Sequence, residues 1–302
     1  METKDLPQFP DFIPLRLEHK NLIRANLLKL QPEISELNFT EMFIWREIRG
    51  ISLCQLRGNI CILAGKENLF YPPLGKNQIV ETIQDLLIRQ KHSEKPRQIY
   101  GISDSILNKF TGAAENFVSE INRDYADYVY LTKDLIELNG HKYDGKRNLI
   151  KQFKNNYGFE YISITKELIP ECLEFQGKWC ATHNCIQNHP LNEENIAALE
   201  LLNNFEHLNV FGATIKINGV IEAFTAASEL NTGTAVIHLE KGNPTIKGIY
   251  QVINQMFCEN RLKKYVYVNR EQDMGVDGLR KSKMSYHPNH MVNKNILLKS
   301  DE

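Results

Sequence analysis

Charged residues and glycines are concentrated in one segment, Val268 to Lys283, which follows a run typical of a β-strand. Opposite charges at the carboxyl end of a strand, on a glycine-containing loop, are a common arrangement in active sites. The acidic residues do not fit a calcium-binding EF-hand, because Arg280 or Met284 falls where that loop requires its last glutamate. The segment therefore predicts either a reactive loop or a solvated loop with surface ion pairs.

A second segment, His238 to Tyr250, reads as a strand end, a loop and a helix that begins near Ile246. Backbone N–H groups and the helix dipole at such a point attract anions. This arrangement predicts a site for a phosphate group. The alternative is that the glycine and proline of the loop only make a turn. The candidate phosphate-binding residues of this loop are Asn243, Lys247 and Gly248.

Basic residues repeat along a predicted helix between Lys142 and Tyr157. Arg147, Lys151 and Lys154 follow a spacing of i, i+4, i+7, which places them on one helix face. This stripe could meet the phosphates of a nucleotide, a tRNA or a lipid headgroup. It could equally be a solvated helix face.

Four residues of the types that bind zinc, Cys180, His183, Cys185 and His189, fall within ten residues. Their spacing is not that of a zinc finger, and we expect ordinary thiols at a partly buried helix end, with no metal. A nucleophilic serine or cysteine is not predicted either, since the chain has no G-x-S-x-G motif.

The elements that would position these residues follow the same order in each half of the chain. A β-hairpin is followed by a Gly- or Pro-containing break, an amphipathic helix and a short strand, which predicts a duplicated α+β unit. The predicted elements are strands 51–56 and 60–64, helix 77–89 and strand 98–102, then strands 210–217 and 220–228, helix 246–262 and strand 265–268.

The polar stretch around Gly140 predicts a boundary between two domains, residues 1–135 and residues 136–302. The first domain has no counterpart of the dense charged segment, so we expect it to be structural. The second domain is expected to carry the active site.

Composition limits the function classes. With 36 basic and 37 acidic residues in 302, the formal net charge is −1, so any phosphate binding must come from a local patch. A hydrophobic fraction of 42% argues against disorder. No run approaches the roughly 18 apolar residues of a membrane span. Met1 to Phe12 lacks a signal-peptide core, and the six cysteines form no paired framework, so we expect a cytoplasmic protein with reduced thiols.

Two runs of sequence resemble a known family. The run E-K-G-N-P-T-I-K-G-I-Y-Q-V-I-N begins at Glu240, and V-N-R-E-Q-D-M-G-V-D-G-L-R-K-S-K-M-S-Y-H-P begins at Val268. Both are similar to the C-terminal domain of phosphatidylglycerol lysyltransferases, as is D-G-K-R-N-L-I-K-Q-F from Asp144. The resemblance implies an α+β fold of two tandem GNAT-like acyltransferase domains, related to Fem-type transferases, each a mixed and mostly antiparallel sheet flanked by helices.

The resemblance also implies an activity. An acyl or aminoacyl group would pass from a thioester or an aminoacyl-tRNA to an amine of a small molecule, lipid or peptide, without a covalent enzyme intermediate. Acyl-coenzyme A or aminoacyl-tRNA would be a co-substrate, with no tightly bound cofactor. The Q/R-x-x-G-x-G/A loop for coenzyme A is replaced here by Pro244-Thr245-Ile246-Lys247-Gly248.

The candidate site residues fall into two groups by role. Acidic residues would accept the amine proton or hold the ammonium, and tyrosines would protonate the leaving group. Basic residues would neutralise phosphates or the developing oxyanion. The catalytic candidates are Glu240, Glu271, Tyr250 and Tyr286, and the donor- or phosphate-binding candidates are Asn243, Lys247, Gly248, Arg270, Arg280, Lys281, Lys283 and Arg147.

Alternatives stay open at this point. Glu240 and Glu271 could be structural partners of Arg270 or Arg280. The chain could be a catalytically degenerate module that binds a nucleotide, tRNA or lipid headgroup, or a scaffold without a cleft. Peripheral membrane contact through the basic helix is a further possibility.

Overall fold

The computed structural model describes residues 2–87, 98–107 and 117–299. Its strands, in chain order, are β1 Ile13–Pro14, β2 Ile51–Leu56, β3 Asn59–Ala64, β4 Leu69–Phe70, β5 Gln98–Ile102, β6 Phe117–Ile121, β7 Asp127–Leu131, β8 Phe159–Ser163, β9 Phe211–Ile217, β10 Val220–Asn231, β11 Thr234–Gly242, β12 Tyr267–Asn269, β13 His290–Val292 and β14 Asn295–Lys299. Its helices are α1 Lys20–Leu30, α2 Phe39–Ile44, α3 Arg46–Arg49, α4 Ile79–Leu87, α5 Asp104–Leu107, α6 Thr132–Glu137, α7 Asp144–Asn156, α8 Ile169–Thr182, α9 His189–Asn203, α10 Ile249–Phe257 and α11 Asp277–Met284.

The first compact unit contains residues 1–127, 272–277 and 291–302. Its sheet has the strand order β1-β2-β3-β4-β5-β14-β6. Strands β4 and β5 are parallel and flank α4 in the chain, whereas the other described pairings are antiparallel. The late strand β14 therefore lies between β5 and β6, a position that the sequence did not predict.

The second compact unit contains residues 128–271 and 278–290. The second sheet has the strand order β13-β7-β12-β11-β10-β9-β8. Here β11 and β12 are parallel and flank α10, again beside antiparallel neighbours. Helix α10 packs on β9, β10 and β11, and also contacts α7.

These two sheets confirm the predicted α+β class, with two mixed and mostly antiparallel sheets flanked by helices. The repeated order of hairpin, break, helix and strand is also confirmed. The boundary at residues 135 and 136 stays a prediction about domains that fold independently.

The two hairpins form where the sequence predicted them, because their turn residues accept positive φ. Arg57 and Gly58 have φ of 52° and 75°, and Asn218 and Gly219 have φ of 51° and 79°. Two consecutive residues with positive φ match the right-handed twist of the flanking strands. These two hairpins could therefore be predicted from their turn residues alone, without knowledge of long-range contacts.

Three predicted elements have different limits. The helix expected from Ile246 begins at Ile249, after Gly248 with φ of 89°, and ends at Phe257 in a π-helical segment, Cys258–Leu262. The prediction of a loop up to Lys283 is wrong for its last residues, because helix α11 begins at Asp277. The negative charge of Asp277 in its first turn and the positive charges of two lysines in its last turn interact favourably with the helix dipole. Residues 88–89 of the helix predicted over 77–89 lie outside the described residues.

No helix in the described part of the chain is long and apolar enough to cross a membrane.

Candidate active site

An ion pair joins two strands of the second unit. Strand β11 runs parallel to β12, and Val236 and Asn269 form the last pair of residues between them. Glu240 and Arg270 both follow this last pair in the chain. The Arg270 Nη2 atom lies 2.8 Å from Glu240 Oε1, and each side chain is only 12% exposed. Charge-assisted hydrogen bonds of this length are among the stronger ones in proteins.

The second oxygen of Glu240 is held from α10. Asn254 Nδ2 donates to Glu240 Oε2 over 2.8 Å, and Asn254 is 1% exposed. Each carboxylate oxygen of Glu240 therefore accepts from one neighbouring donor. Sequence analysis missed Asn254. The available signal was a polar residue on the apolar face of an amphipathic helix, beside the buried Ile253 and Phe257.

The guanidinium of Arg270 also meets aromatic rings. Its Cζ atom lies 4.8 Å from the ring centroid of Tyr286 and 5.7 Å from that of Tyr130. Burial lowers the pKa of Arg270, but the charge of Glu240 more than offsets this and raises it. The Nη1 atom is buried, and among the described residues it has no hydrogen-bond partner.

A cleft of about 200 Å³ opens on this ion pair. Its lining is mostly polar and comes from β11, α10, α11 and the residues that follow β12 and α11. A small pocket with a few convergent polar groups is a usual form for an active site. The lining residues are Glu240, Tyr250, Gln251, Arg270, Ser282 and Tyr286. Four of the predicted site residues therefore line one cleft.

The two candidate tyrosines of this cleft differ in their surroundings. Burial raises the pKa of Tyr286, although the nearby charge of Arg270 opposes the effect, so Tyr286 is protonated at neutral pH. The Tyr250 hydroxyl donates to the Gly242 carbonyl over 2.8 Å. Tyr250 thus already uses its proton in the fold.

Three of the predicted basic residues of the second unit do not line the cleft. Two of them donate hydrogen bonds to backbone carbonyls, and the third is exposed. Buried Lys283 donates from Nζ to the carbonyls of Arg270, at 2.6 Å, and Glu271, at 3.1 Å. Arg147 bonds the carbonyls of Leu138 and Gly140 and pairs with Asp144. Lys281 is exposed on α11.

Arg280 lies on the same helix and is partly exposed. Arg280 and Lys281 are the two residues that precede Ser282, which lines the cleft.

The predicted donor loop is well ordered by its own hydrogen bonds. Asn243 Oδ1 accepts from the Thr245 amide at 3.0 Å, and Asn243 Nδ2 donates to Glu222 at 2.8 Å. Lys247 is exposed. Gly248 forms the N-cap of α10, where a Cβ would lie 2.5 Å from the Leu149 carbonyl oxygen.

Glu271 lies away from the lining, beside a buried histidine. Its Oε1 atom is 3.6 Å from His238 Nδ1, and His238 Nε2 is 2.8 Å from Ser228 Oγ. Glu271 has φ of 58°, and its amide donates to Asn269 Oδ1 over 2.7 Å. Sequence analysis named Glu271 but missed its contact with His238 of β11, which in turn contacts Ser228 of β10.

The four cysteine and histidine residues of the zinc-type segment point to different partners. Cys180 and Cys185 are buried. His183 stacks on Trp179 with ring centroids 3.9 Å apart, and His189 is exposed beside Glu193. Within the described ranges, no three of these four side chains bring ligand atoms together.

A lysine next to the predicted Arg147 contacts Tyr286, which lines the cleft. Lys146 Nζ donates to Ser285 Oγ over 2.7 Å and lies 4.1 Å from the ring centroid of Tyr286. Burial lowers the pKa of Lys146, and the like charge of Arg270 adds to this effect. Sequence analysis did not select Lys146, although it belongs to the D-G-K-R run.

The first unit contains a buried charge cluster. Lys294 Nζ lies 2.7 Å from Glu36 Oε2 and 2.7 Å from Asp127 Oδ1, and all three side chains are at most 2% exposed. Gln272 Oε1 also accepts from Lys294, at 2.8 Å. Sequence analysis missed this cluster, because its members lie far apart in the chain.

The chain is similar to known proteins along most of its length. The family model described as phosphatidylglycerol lysyltransferase, C-terminal, matches residues 28–297. A conserved protein of unknown function from Bacteroides thetaiotaomicron VPI-5482 is 31% identical, with a TM-score of 0.88 over 96% of this chain and 99% of that one. No curated protein matches.

Two more distant structures are similar in fold. L-PGS from Bacillus licheniformis has a TM-score of 0.60 at 13% identity, over 93% of this chain and 91% of that one. FemX has a TM-score of 0.58 at 10% identity, over 96% of this chain and 97% of that one. The predicted Fem-like fold is confirmed. Because the family model covers most of the chain and the Bacteroides protein matches along nearly its whole length, this chain belongs to the phosphatidylglycerol lysyltransferase C-terminal family.

Proposed function

We propose that this protein is an aminoacyltransferase that moves an aminoacyl group from an aminoacyl-tRNA ester to an amine of a small molecule, lipid or peptide. The observation that carries the proposal is the cleft in which a buried Glu240–Arg270 pair adjoins a protonated Tyr286. The likeness to the fold of L-PGS and FemX supports the same reaction class.

The reaction is a direct displacement at an ester carbonyl. The acceptor nitrogen attacks the carbonyl carbon, a C–N bond forms, and the C–O bond to the ribose breaks. Glu240 accepts hydrogen bonds from the ammonium or amine and orients it, since both carboxylate oxygens are already fixed by Arg270 and Asn254. Because Arg270 and Asn254 hold this carboxylate in place beforehand, it needs little rearrangement during the reaction.

The charge that develops on the carbonyl oxygen needs donors. Arg270 is a permanent cation at the cleft wall, and its Nη1 atom is without a partner among the described groups. We propose that it stabilises this oxyanion and that Tyr286 gives its proton to the departing oxygen. The attacking nitrogen loses one proton to Glu240 as the C–N bond forms, and this proton then returns to the Tyr286 phenolate, so the resting state is restored. Donor interactions of this type are typically worth about 10²- to 10³-fold in rate.

Donor recognition is proposed for the loop before α10. Asn243, exposed Lys247 and the N-terminus of the helix at Gly248 would meet a phosphate near the 3′ end. Arg280 and Lys281 would add charge from α11. An acyl-coenzyme A thioester remains the alternative donor. The first unit is proposed to be structural.

The test is a transfer assay with the full chain, a mixed pool of radiolabelled aminoacyl-tRNA and a panel of amines, with acetyl-coenzyme A in parallel. Glu240→Gln keeps the shape of the side chain but removes its charge, so we expect transfer to fall at least about 10²-fold. Glu171→Gln, which changes a surface pair with Lys216, is the matched control. A folded Glu240→Gln protein with full transfer would remove Glu240 from the mechanism.

Donor binding is measured separately by thermal shift, since a ligand of the folded state raises its apparent stability. We expect charged tRNA to raise the midpoint, and Lys247→Ala to reduce that rise. Binding without any transfer would favour the catalytically degenerate module. A rise only with acetyl-coenzyme A would assign a thioester donor.

A further inference from the structure

Two side chains of the cleft have no part in the mechanism above. Gln251 lies in the first turn of α10, Ser282 lies on α11, and both line the cleft that opens on the Glu240–Arg270 pair. Neither side chain makes a hydrogen bond or an ion pair with any residue that the structure describes. Their polar atoms are therefore available to a ligand that enters the cleft.

The other four lining residues already have a role in the fold or in the proposed reaction. Both oxygens of Glu240 accept from neighbouring donors, and the Tyr250 hydroxyl donates to a backbone carbonyl. The lining holds one carboxylate and one guanidinium, 2.8 Å apart, so its formal net charge is zero. Gln251 and Ser282 add neutral hydrogen-bonding groups to this balanced pair of charges.

The types of these two residues select the chemistry of the ligand group. A glutamine amide has two N–H donors and a carbonyl acceptor, and a serine hydroxyl both donates and accepts. An ionised phosphate or carboxylate only accepts, and an ammonium only donates, so each would leave part of the pair unused. A hydroxyl group donates and accepts, and it brings no charge that needs a partner. An aliphatic hydroxyl is therefore the group that fits this pair.

The segment that carries Ser282 also carries the proposed leaving-group acid, Tyr286. The Tyr286 amide donates to the Lys283 carbonyl over 3.1 Å, and Ser285 Oγ donates to the Ser282 carbonyl over 2.6 Å. Ser282 and Tyr286 thus belong to one hydrogen-bonded turn at the end of α11. Because Gln251 lines the same small cleft, a leaving oxygen at Tyr286 places its neighbouring substituents next to both residues.

From this arrangement we propose that Gln251 and Ser282 determine specificity by binding a free hydroxyl on the carbon next to the reacting bond. The inference rests on the proposed function. In the ester donor this group is the free hydroxyl of the terminal ribose, one carbon away from the ester carbon. An acceptor with a hydroxyl on the carbon next to its amine carbon offers the same chemistry. The thioester of coenzyme A has no hydroxyl beside its sulfur, so the pair favours an ester donor.

The first test measures binding to the full chain without turnover, by thermal shift. One ligand pair is an RNA trinucleotide that ends in adenosine or in 2′-deoxyadenosine, and the other is ethanolamine and ethylamine. We expect the hydroxylated member of the recognised pair to bind about 3- to 10-fold more tightly, as for one neutral hydrogen bond. The pair that shows this preference identifies whether the hydroxyl belongs to the donor or to the acceptor. Equal affinities within both pairs would overturn the inference.

Variants assign the preference to the two side chains. Gln251→Leu and Ser282→Ala remove the polar groups, and both new residues favour a helix, so the variants are expected to fold. Each should lose the preference for the hydroxylated ligand. Gln187→Leu is the matched control, because Gln187 is exposed and does not line the cleft, and it should keep the preference. A preference that survives in both cleft variants would contradict the assignment.

The second test is a cycle of variants and substrates in the transfer assay. Each variant receives aminoacyl-tRNA that ends in adenosine or in 2′-deoxyadenosine, and each acceptor of the amine pair. We expect a loss of about 3- to 10-fold in kcat/KM with the hydroxylated member of the recognised pair and little loss with the other, because the same hydrogen bond is removed either way. Equal losses with every substrate would indicate a merely structural role and refute the inference.

The outcomes of the two proposals can be told apart. Full transfer by both cleft variants refutes hydroxyl recognition and leaves the proposed transfer intact. A wild-type chain that transfers nothing from any donor overturns the proposed function, whereas the binding comparison still decides whether the cleft recognises a hydroxyl.

Discussion

At the scale of single residues, the cleft derives its chemistry from charges that are buried and paired. The Glu240–Arg270 pair is removed from most solvent, and Asn254 completes the contacts of the carboxylate. A buried pair of this kind tolerates the loss of one member badly, because the remaining charge has no partner. Burial also raises the pKa of Tyr286, a group that is protonated at neutral pH even at its ordinary value.

The leaving-group acid is tested at the same scale. Tyr286→Phe removes the hydroxyl and keeps the ring between Arg270 and Lys146, so we expect transfer to fall by about 10²- to 10⁴-fold while donor binding persists. Tyr250→Phe is the comparison, since the hydroxyl of Tyr250 donates to a backbone carbonyl. Steady-state rates and donor thermal shifts of both variants are measured. A larger loss of rate in Tyr250→Phe would move the acid role to Tyr250.

Residue types and spacing in the sequence were sufficient to select Glu240, Arg270 and Tyr286, because they belong to dense polar runs at strand ends. They did not select Asn254 or Lys146. Asn254 lies on an otherwise apolar helix face, and Lys146 lies on another helix that meets the cleft only through folding. Side chains that support a site from a distant element carry no local signal.

At the scale of elements, the packing of α10 on α7 depends on a glycine. Gly248 has φ of 89°, and a Cβ there would lie 2.5 Å from the Leu149 carbonyl oxygen. The predicted role of Gly248 at a phosphate remains a proposal, but this close approach of two helices is already a reason for a glycine. A side chain would have to push α7 and α10 apart.

A glycine pair tests this packing. We expect Gly248→Ala to lower the free energy of unfolding by about 1–3 kcal/mol, through steric overlap and the positive φ. Gly145→Ala is the control, because a Cβ at that helical position meets no atom within 4 Å, and alanine favours the helix. Urea unfolding of both variants is the measurement. Equal stabilities would show that α7 moves aside without cost.

Element prediction worked where the signal was local. The turns at Arg57-Gly58 and Asn218-Gly219 fixed two hairpins, and the alternating apolar runs beside them supplied the strands. Strand β14 was not predicted, since its place between β5 and β6 depends on pairing with residues far away in the chain. Helix α11 was missed because its charges and Gly278 resemble a loop.

At the scale of the whole molecule, the two compact units are interleaved along the chain. The chain returns to the first unit at residues 272–277, passes through the second unit again, and ends in the first unit at residues 291–302. The buried cluster joins the first and last of these segments, since Lys294 contacts both Glu36 and Asp127.

The pH dependence of this cluster follows from its charges. Burial raises the pKa of Glu36, but the charges of Lys294 and Arg49 outweigh burial and lower it. A carboxyl with a lowered folded-state pKa stabilises the fold above its unfolded value, about 4.3, and this stability is lost as the pH falls through the folded value. Burial lowers the pKa of Lys294, but Asp127 and Glu36 raise it, so its contribution is lost only at strongly alkaline pH.

Removing the lysine tests the cluster. Lys294→Met leaves two buried carboxylates without their cation, and we expect a loss of about 3–5 kcal/mol in unfolding free energy at pH 7. The loss should shrink at pH 4, because the carboxyl groups of the variant can be protonated there. Lys29→Met, at an exposed position of α1, is the control. Urea unfolding that shows the same loss at both pH values would contradict this account.

The position of β14 has a consequence for biosynthesis. The ribosome releases β5 and β6 long before residues 295–299 exist, and β14 is the only neighbour of β6 in the described sheet. Strands β8 to β12 are complete before β14 emerges, so they can pair while the first sheet still has open edges. Open edges invite pairing with other chains. The sheet of the first unit therefore cannot close around β6 until residues 295–299 have been synthesised.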